Sequence, residues 1–383
     1  MFLKRFLAKL TKFFNLDGYG DDRGSDGSVF AIDIGSSFIK VMTGRRDGGQ
    51  LIVDNYNKIP APSFMNKISY FEDIARDIEA INTKLEILLE NFAAESDYLI
   101  ICLPDNFSIV KLLSLEKTPA ENELEAVIKK NIEADLPQAY EMWDFTTDIV
   151  DCTDNGINMI VLATLKRNLE NVIDMVSDSL AEPDYVSCSS FLAQEVLYPY
   201  IESRPGANIA LVNMGNTVTS VSIFKGTHLR FMQNIYIGGY NFTLDVANAL
   251  QMSTSEAENY KKSEIFFLPE YAPQQEKVKN YTAIKSTFME LARGIFYFFE
   301  SYFTKYFEEK IDEIIIYGGG ANFKNIEVTL GGMLNIPVKK ASSIIKVKNA
   351  EGGDLEEEKV NACLSMLGAI SGGSEEEENE DKT

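Results

Sequence analysis

Apolar and polar residues follow a pattern along the chain that occurs twice. Residues 29–40 read VFAIDIGSSFIK and residues 208–219 read NIALVNMGNTVT, and each stretch predicts a buried strand, a glycine turn and a second strand. A third apolar stretch follows in each half. The pattern therefore predicts two related three-stranded units, with strands at 30–33, 39–43 and 51–56 and again at 209–213, 219–224 and 229–236.

The remainder of the first half contains a helix, a strand and a separate group of elements. Apolar residues at helical spacing predict an amphipathic helix over 71–95, and the apolar run at 98–103 predicts a central strand. An inserted subdomain is then predicted, with strands at 109–115, 145–150 and 157–165 and helices at 121–134 and 169–180. Such a compact unit more often presents a surface to partners than holds a catalytic centre. Trp143, at its edge, is expected to be a core residue.

The second half continues with helices and one more buried strand. One helix is expected to follow Gly238-Gly239 and end at residue 250, and another to follow Asn322 and end at residue 334. Further helices are expected at 255–262, with Ser255 as the cap, at 274–307 and at 360–370. The strand, at 311–317, leads directly into three consecutive glycines. The whole chain is thus predicted to comprise a basic helix (1–16), a linker (17–28), a first lobe (29–107 and 184–205) interrupted by the insertion (108–183), a second lobe (206–370) and an acidic disordered tail (371–383).

Composition and charge narrow the functional classes. The 383 residues are 45% hydrophobic and 11% aromatic, which indicates a folded protein of two or more domains. The formal charge of −22 argues against general nucleic-acid binding, which depends on Lys and Arg. His228 is the only histidine, so Ser–His–Asp triads and multi-histidine metal sites are excluded. The four cysteines form no CxxC pair, as expected for free thiols in a reducing cytoplasm.

The N-terminal segment contrasts with the rest of this acidic chain. MFLKRFLAKLTKFFNL carries four basic residues, no acid and one apolar stripe at helical spacing. Such a basic amphipathic helix suits the surface of an anionic membrane. Docking on the protein's own body or on a partner explains the stripe equally well, so both interpretations stay open.

The two glycine turns carry the candidate chemistry. Gly35, Ser36 and Ser37 align with Gly215, Asn216 and Thr217, and Asp33 aligns with Asn213. Glycine lets a ligand approach the backbone closely, and the neighbouring N–H, hydroxyl and amide groups can face phosphate oxygens. A single turn of this kind would be weak evidence, since hairpins use glycine for conformational reasons. Two turns in matching positions predict two lobes that enclose one phosphorylated ligand.

Longer stretches of sequence resemble a known superfamily. The ordered pieces are AIDIGSSFIKVM, ENELEAVIKKNIEADLP, FMQNIYIGGYNFTLDVANAL, EAENYKK and EIIIYGGGANFKNIEVTLGGMLNIPVK. Together they are similar to the actin and sugar-kinase ATPases, and within these to FtsA and, more closely, to PilM of type IV pilus assembly. The resemblance implies an α/β fold of two actin-like (ribonuclease H-like) lobes with an inserted FtsA/PilM-type subdomain.

The resemblance also implies a nucleotide site and partners. ATP or ADP with Mg²⁺ would be held by Asp33 (also the Mg²⁺ ligand), Gly35, Ser36, Ser37 and Lys40 in the first turn, by Asn213, Gly215, Asn216 and Thr217 in the second, by Glu258 and Lys261 near the ribose and base, and by Gly318, Gly319, Gly320 and Asn322 around the adenosine. Members of the family are cytoplasmic and bind the short N-terminal tail of an inner-membrane protein, PilN, beside the inserted subdomain.

One departure from the family pattern bears on catalysis. The second turn normally begins with an aspartate, but residue 213 is asparagine. An amide lacks the negative charge that holds hydrated Mg²⁺ or orients an attacking water. The stretch VSCSSFLA at 186–193 supplies no clear general base either, so we expect nucleotide binding without rapid hydrolysis and at most a weak ATPase.

Three functions therefore compete. A nucleotide-gated scaffold that recruits a membrane protein's tail is favoured, and low hydrolytic capacity costs it nothing. A membrane-associated filament of the FtsA or MreB type is the alternative, supported by the N-terminal helix, and it keeps self-association open. A small-molecule kinase would need a catalytic acid and a polar substrate cleft, for which we nominate no residues. The sequence does not separate a pilus machine from a secretion system.

Overall fold

The computed structural model describes residues 27–66, 78–89, 92, 96–153, 156–265, 267, 275–308 and 310–372. The strands are β1 (Val29–Ile34), β2 (Phe38–Asp47), β3 (Gln50–Pro60), β4 (Tyr98–Leu103), β5 (Ser108–Leu115), β6 (Trp143–Thr153), β7 (Gly156–Leu165), β8 (Tyr185–Cys188), β9 (Asn208–Met214), β10 (Thr219–Lys225), β11 (His228–Ile235), β12 (Glu313–Tyr317), β13 (Val338–Lys340) and β14 (Val347–Asn349). The α-helices are α1 (Ile78–Leu89), α2 (Glu121–Ile132), α3 (Lys166–Ser179), α4 (Ser189–Glu202), α5 (Gly239–Leu250), α6 (Thr254–Glu264), α7 (Gln275–Tyr306), α8 (Ile326–Leu334), α9 (Glu357–Ala362) and α10 (Leu364–Ser371).

Two sheets share one strand order, so the predicted internal repeat is present in three dimensions. The first sheet runs β14-β3-β2-β1-β4-β8 and the second β11-β10-β9-β12-β13. β1 pairs antiparallel with β2 and parallel with β4, and β9 likewise pairs antiparallel with β10 and parallel with β12. We call the body built on the first sheet the first lobe and the body built on the second sheet the second lobe. The strands β1 and β12 are buried at every residue, as their largely apolar sequences predict.

The inserted subdomain forms a three-stranded antiparallel sheet, β5-β7-β6, with its own small core. Alternation along β7 explains how it joins the first lobe. Val161 and Ala163 lie in the subdomain's core, whereas Ile160 and Leu162 belong to the core of the first lobe. Trp143 is 1% exposed inside the subdomain's core, which confirms the expectation for this residue.

The C-terminal part of the chain returns to the first lobe, which differs from the predicted boundary at 206–370. β14 pairs parallel with β3 of the first sheet. α10 packs against α4 and β1, and its residues belong to the first lobe's core. The sequence pattern could not show this return, because both lobes bury apolar helices of similar composition.

Two predicted helices differ from those in the structure, one in its cap and the other in its continuity. The cap of α6 is Ser253 and not Ser255, because the Ser253 hydroxyl accepts from the backbone N–H of Glu256 and the Glu256 carboxylate accepts from Ser253. The helix predicted at 360–370 is two helices, α9 and α10, which meet at Cys363. The backbone of Cys363 has φ −122° and ψ 19°, outside the helical region.

Several predictions fall on residues outside the described ranges. These are the basic helix at 1–16, the linker up to residue 26, part of the helix at 71–95 and the tail from residue 373.

Candidate functional site

A cavity of about 370 Å³ lies between the two lobes. Its position follows from the topology, because parallel strands bring their carboxyl ends to one edge of a sheet. β1, β4 and β8 end at the cavity in the first lobe, and β9 and β12 end there in the second. The volume lies within the range of small-molecule sites, about 300–1,000 Å³, and such crevices at strand carboxyl ends are the usual ligand sites of α/β folds.

The fifteen residues predicted from sequence all line this cavity. They are Asp33, Gly35, Ser36, Ser37, Lys40, Asn213, Gly215, Asn216, Thr217, Glu258, Lys261, Gly318, Gly319, Gly320 and Asn322. They come from both lobes and from positions far apart in the sequence. The structure therefore brings the predicted set together in one place, and the ligand itself stays a prediction.

The two glycine turns face each other across the cavity. The hydroxyl oxygens of Ser36 and Thr217 are 3.2 Å apart, and the Asn216 amide lies 3.4 Å from the Ser36 oxygen. Both turns need glycine for the same steric reason. A Cβ at Gly35 would lie 2.8 Å from the Phe38 carbonyl oxygen, and one at Gly215 would lie 2.7 Å from that of Val218.

Asp33 and Lys40 form a buried ion pair beside the first turn. The Lys40 ammonium donates to the Asp33 carboxylate at 2.7 Å and to the Ala362 carbonyl at 3.0 Å. Burial opposes the charge on Lys40, but the Asp33 carboxylate outweighs it and raises the pKa of Lys40. This end of the cavity thus holds one fixed cation and one carboxylate, together with the hydroxyls of the turns.

Glu258 and Lys261 form a second charged group on α6. The Lys261 ammonium donates to Glu258, to the Gly239 carbonyl at 2.8 Å and to the Thr243 hydroxyl at 2.7 Å. Burial disfavours the charge on Glu258, yet the two lysines Lys261 and Lys262 outweigh burial and lower the pKa of Glu258. Burial lowers the pKa of Lys261 in turn. The hydrogen bonds with Gly239 and Thr243 tie the pair to α5.

The triple glycine forms a close-packed wall of the cavity. Gly318 has φ +84°, and a Cβ there would lie 2.6 Å from the Asn213 side-chain oxygen. A Cβ at Gly320 would meet the Met214 side chain at 2.8 Å, whereas one at Gly319 meets nothing within 4 Å. Gly319–Asn322 forms a 3₁₀ turn, and the helix predicted to end at residue 334 is α8, which begins at Ile326.

Sequence reasoning missed several lining residues, of which Asp105 and Phe38 matter most. Asp105 is 1% exposed and follows Pro104 at the end of β4. A signal for Asp105 was available, because a strand parallel to β1 must end at the same edge of the sheet as the first turn.

Phe38 lies under two ammonium groups, Lys58 at 4.8 Å and Lys262 at 5.2 Å from the ring centroid. Lys262 belongs to the second lobe, so this contact crosses the cavity.

The part of the chain that the structure describes lacks both a membrane-spanning helix and a metal-binding cluster. No helix there is long and apolar enough to cross a membrane. Nor does that part contain a cluster of three or more His, Cys, Asp or Glu side chains placed to hold a metal ion.

This architecture defines a class of protein. Two lobes with the same strand order, facing hairpin turns and an inserted three-stranded subdomain form an actin-like α/β fold, and the fold-class prediction is confirmed. A solved PilM–PilN type IV pilus biogenesis complex has the same fold, with a TM-score of 0.72, 15% identity, and coverage of 90% of this chain and 97% of that chain. MreB5 of Spiroplasma citri bound to AMPPNP is more distant, with a TM-score of 0.49, 11% identity, and coverage of 89% and 94%.

The family model of type IV pilus assembly protein PilM matches residues 31–366, so the chain belongs to the PilM family. The predicted family resemblance is thereby confirmed. Among characterised sequences, cell division protein FtsA of Bacillus subtilis (strain 168) is 23% identical over 253 residues. That match covers 61% of this chain and 57% of FtsA, so the chain spans little more than half the length of that relative.

Proposed function

We propose that the cavity between the lobes binds ATP or ADP and that this PilM-family protein acts as a nucleotide-binding scaffold in a type IV pilus or related secretion machine. One observation carries the nucleotide proposal: both glycine turns, one from each lobe, meet at the same end of a cavity of about 370 Å³. Backbone N–H groups, hydroxyls and the Lys40 ammonium suit terminal phosphates. The glycine wall at Gly318–Gly320 suits a flat base and ribose.

The residues fit Mg²⁺ carried in by the nucleotide. Magnesium in such sites is commonly held by one or two carboxylates, water and substrate phosphates, not by a cage of protein ligands. Asp33 is the carboxylate available beside the first turn, and it is 6% exposed and oriented by Lys40. The metal would offset the negative charge of the phosphates at this end of the cavity.

The partner proposal rests on family membership and on the solved relative. That neighbour is a complex of PilM with PilN, and we propose that this chain likewise binds the cytoplasmic tail of a PilN-like inner-membrane protein, acting in the cytoplasm at that membrane. A bound nucleotide can regulate such a scaffold without hydrolysis if it binds one arrangement of the lobes more tightly than another. The filament alternative draws on the similarity to FtsA, and a polymer found during the partner test would favour it.

Blocking the cavity at Gly319 tests the nucleotide proposal. Because a Cβ at Gly319 meets no protein atom within 4 Å and the residue lines the cavity, Gly319→Leu adds volume in the ligand's space from an uncrowded Cβ position. We expect the affinity for a fluorescent ATP analogue, measured by equilibrium titration with Mg²⁺, to fall at least about tenfold, the loss of roughly 1.4 kcal/mol.

A matched control is available at Gly332 in α8, which also has open space around its Cβ position but does not line the cavity. Gly332→Leu should bind the analogue like the wild type. Equal affinities for Gly319→Leu and the wild type, or no binding by the wild type, would refute the proposed site.

A further inference from the structure

The internal repeat places unlike side chains at equivalent positions, and their partners differ. Asp33 is the next-to-last residue of β1 and pairs with Lys40 from its own lobe. Asn213 occupies the equivalent position in β9, and its side-chain amide donates to the Asp105 carboxylate at 3.0 Å. Asp105 belongs to the first lobe, so this second bond joins the lobes.

Asp105 accepts hydrogen bonds at both of its carboxylate oxygens. Oδ1 accepts from the backbone N–H of Ser190 at 2.8 Å, and Oδ2 accepts from the Ser190 hydroxyl at 2.7 Å as well as from Asn213. The Ser190 hydroxyl in turn accepts from Tyr317 of the second lobe at 3.1 Å. Donors from both lobes thus converge on one buried carboxylate.

This arrangement explains why an amide suits position 213. A carboxylate there could not donate to Asp105, and two buried carboxylates about 3 Å apart would repel each other. An amide donates and carries no charge, so Asn213 and Asp105 are complementary. The second turn lacks an acid at position 213, and the residue that Asn213 contacts in the opposite lobe, Asp105 after β4, is an acid.

We propose that the hydrogen bond between Asp105 and Asn213 holds the two lobes together beside the cavity. We also propose that Asp105 positions the second glycine turn for its ligand. Asn213 immediately precedes Met214 and the turn at Gly215, and a Cβ at Gly318 would touch its side-chain oxygen. The orientation of Asn213 therefore sets the spacing between the second turn and the glycine wall. The part of this proposal that concerns the ligand rests on the proposed function, whereas the interlobe pair does not.

Exchanging the two residues tests the pair. Asn213→Asp creates two facing carboxylates, and Asp105→Asn places an amide N–H against a donor of Ser190 or Asn213. Each single variant should lower the melting temperature measured without nucleotide by at least about 4 °C. In the double variant the new amide at position 105 can accept from Ser190 and donate to the new carboxylate at position 213, so more than half of the larger loss should be recovered. Losses that simply add would overturn the pair.

Nucleotide affinity supplies a readout that a purely structural role would not move. At a temperature where all variants are folded, each single variant should bind the fluorescent ATP analogue at least about fivefold more weakly, and the double variant should regain most of this affinity. Unchanged affinity in folded single variants would overturn the positioning role. If the wild type does not bind the analogue, the proposed function and the positioning role fail together, while the melting data still decide the pair.

A second set of variants tests the pair if the exchange cannot be measured. If Asn213→Asp does not accumulate as folded protein, Asn213→Ala replaces it. Removing the amide donor leaves the buried Asp105 charge with fewer partners, so Asp105→Asn should then lower the melting temperature less than it does in the wild type. An equal or larger cost would overturn the pair.

Discussion

Replacing Gly368 with alanine is expected to lower the free energy of unfolding of the first lobe by about 3 kcal/mol or more. Gly368 lies in α10 where that helix crosses α4, and a Cβ there would be 1.7 Å from the Leu192 carbonyl oxygen and 3.3 Å from the Ala193 nitrogen. Both contacts are with backbone, so no side chain can move aside. The helices must separate, and the core formed by α10, β1 and α4 loses its packing.

Thermal unfolding followed by circular dichroism measures this effect. At roughly 2–4 °C per kcal/mol, the melting temperature should fall by about 6–12 °C. Gly332→Ala is the matched control, because it is the same change in a helix where the Cβ meets nothing, and it should be neutral or stabilising by up to about 1 kcal/mol. Indistinguishable melting of the two variants would show that α10 does not pack on α4 as described.

A negative charge at Ser37 is expected to abolish nucleotide binding. Ser37 lines the cavity next to Ser36 in the first glycine turn, at the end where we place the terminal phosphates. Two like charges about 4 Å apart at an effective dielectric constant of roughly 20 repel by about 4 kcal/mol. We therefore expect Ser37→Asp to weaken ATP binding by at least about a hundredfold, allowing for partial screening by Mg²⁺ and solvent.

Ser37→Asn is the control for this prediction, since asparagine has the size of aspartate without its charge. Equilibrium titration of both variants with the same ATP analogue separates charge from shape. Affinity should fall far less in Ser37→Asn, and an equal loss in the two variants would mean that no phosphate lies near Ser37.

Much of the fold could be predicted because it depends on local patterns. β1, β4 and β12 are buried on both faces, so their apolar runs identified them without knowledge of their neighbours. The glycine turns were recognised because the same residue types occur at the same spacing in both halves. The rest of the cavity-lining set was predicted from the family resemblance, which implied the roles of Glu258 and Lys261 on α6.

The errors and omissions depend on contacts between distant parts of the chain. The return of β14 and α10 to the first lobe requires pairing with β3 and α4, and no local pattern encodes that choice. The sequence places Asn213 in the second turn and identifies it as a missing acid, but no local pattern indicates its partner Asp105, which lies 108 positions away in the chain. Ser253 and Ser255 are both reasonable caps by sequence, and only the hydrogen bonds with Glu256 distinguish them.

Capture of partners by the tagged full-length protein from solubilised native membranes, with and without Mg-ATP, is the decisive experiment for a nucleotide-dependent scaffold. We predict recovery of a small single-span inner-membrane protein with a short cytoplasmic tail. Its yield should depend on Mg-ATP for the wild type and Ser37→Asn, and not for Ser37→Asp. Recovery of division or wall-synthesis proteins instead, or of the protein itself as a pelletable polymer, would contradict the scaffold and indicate a filament.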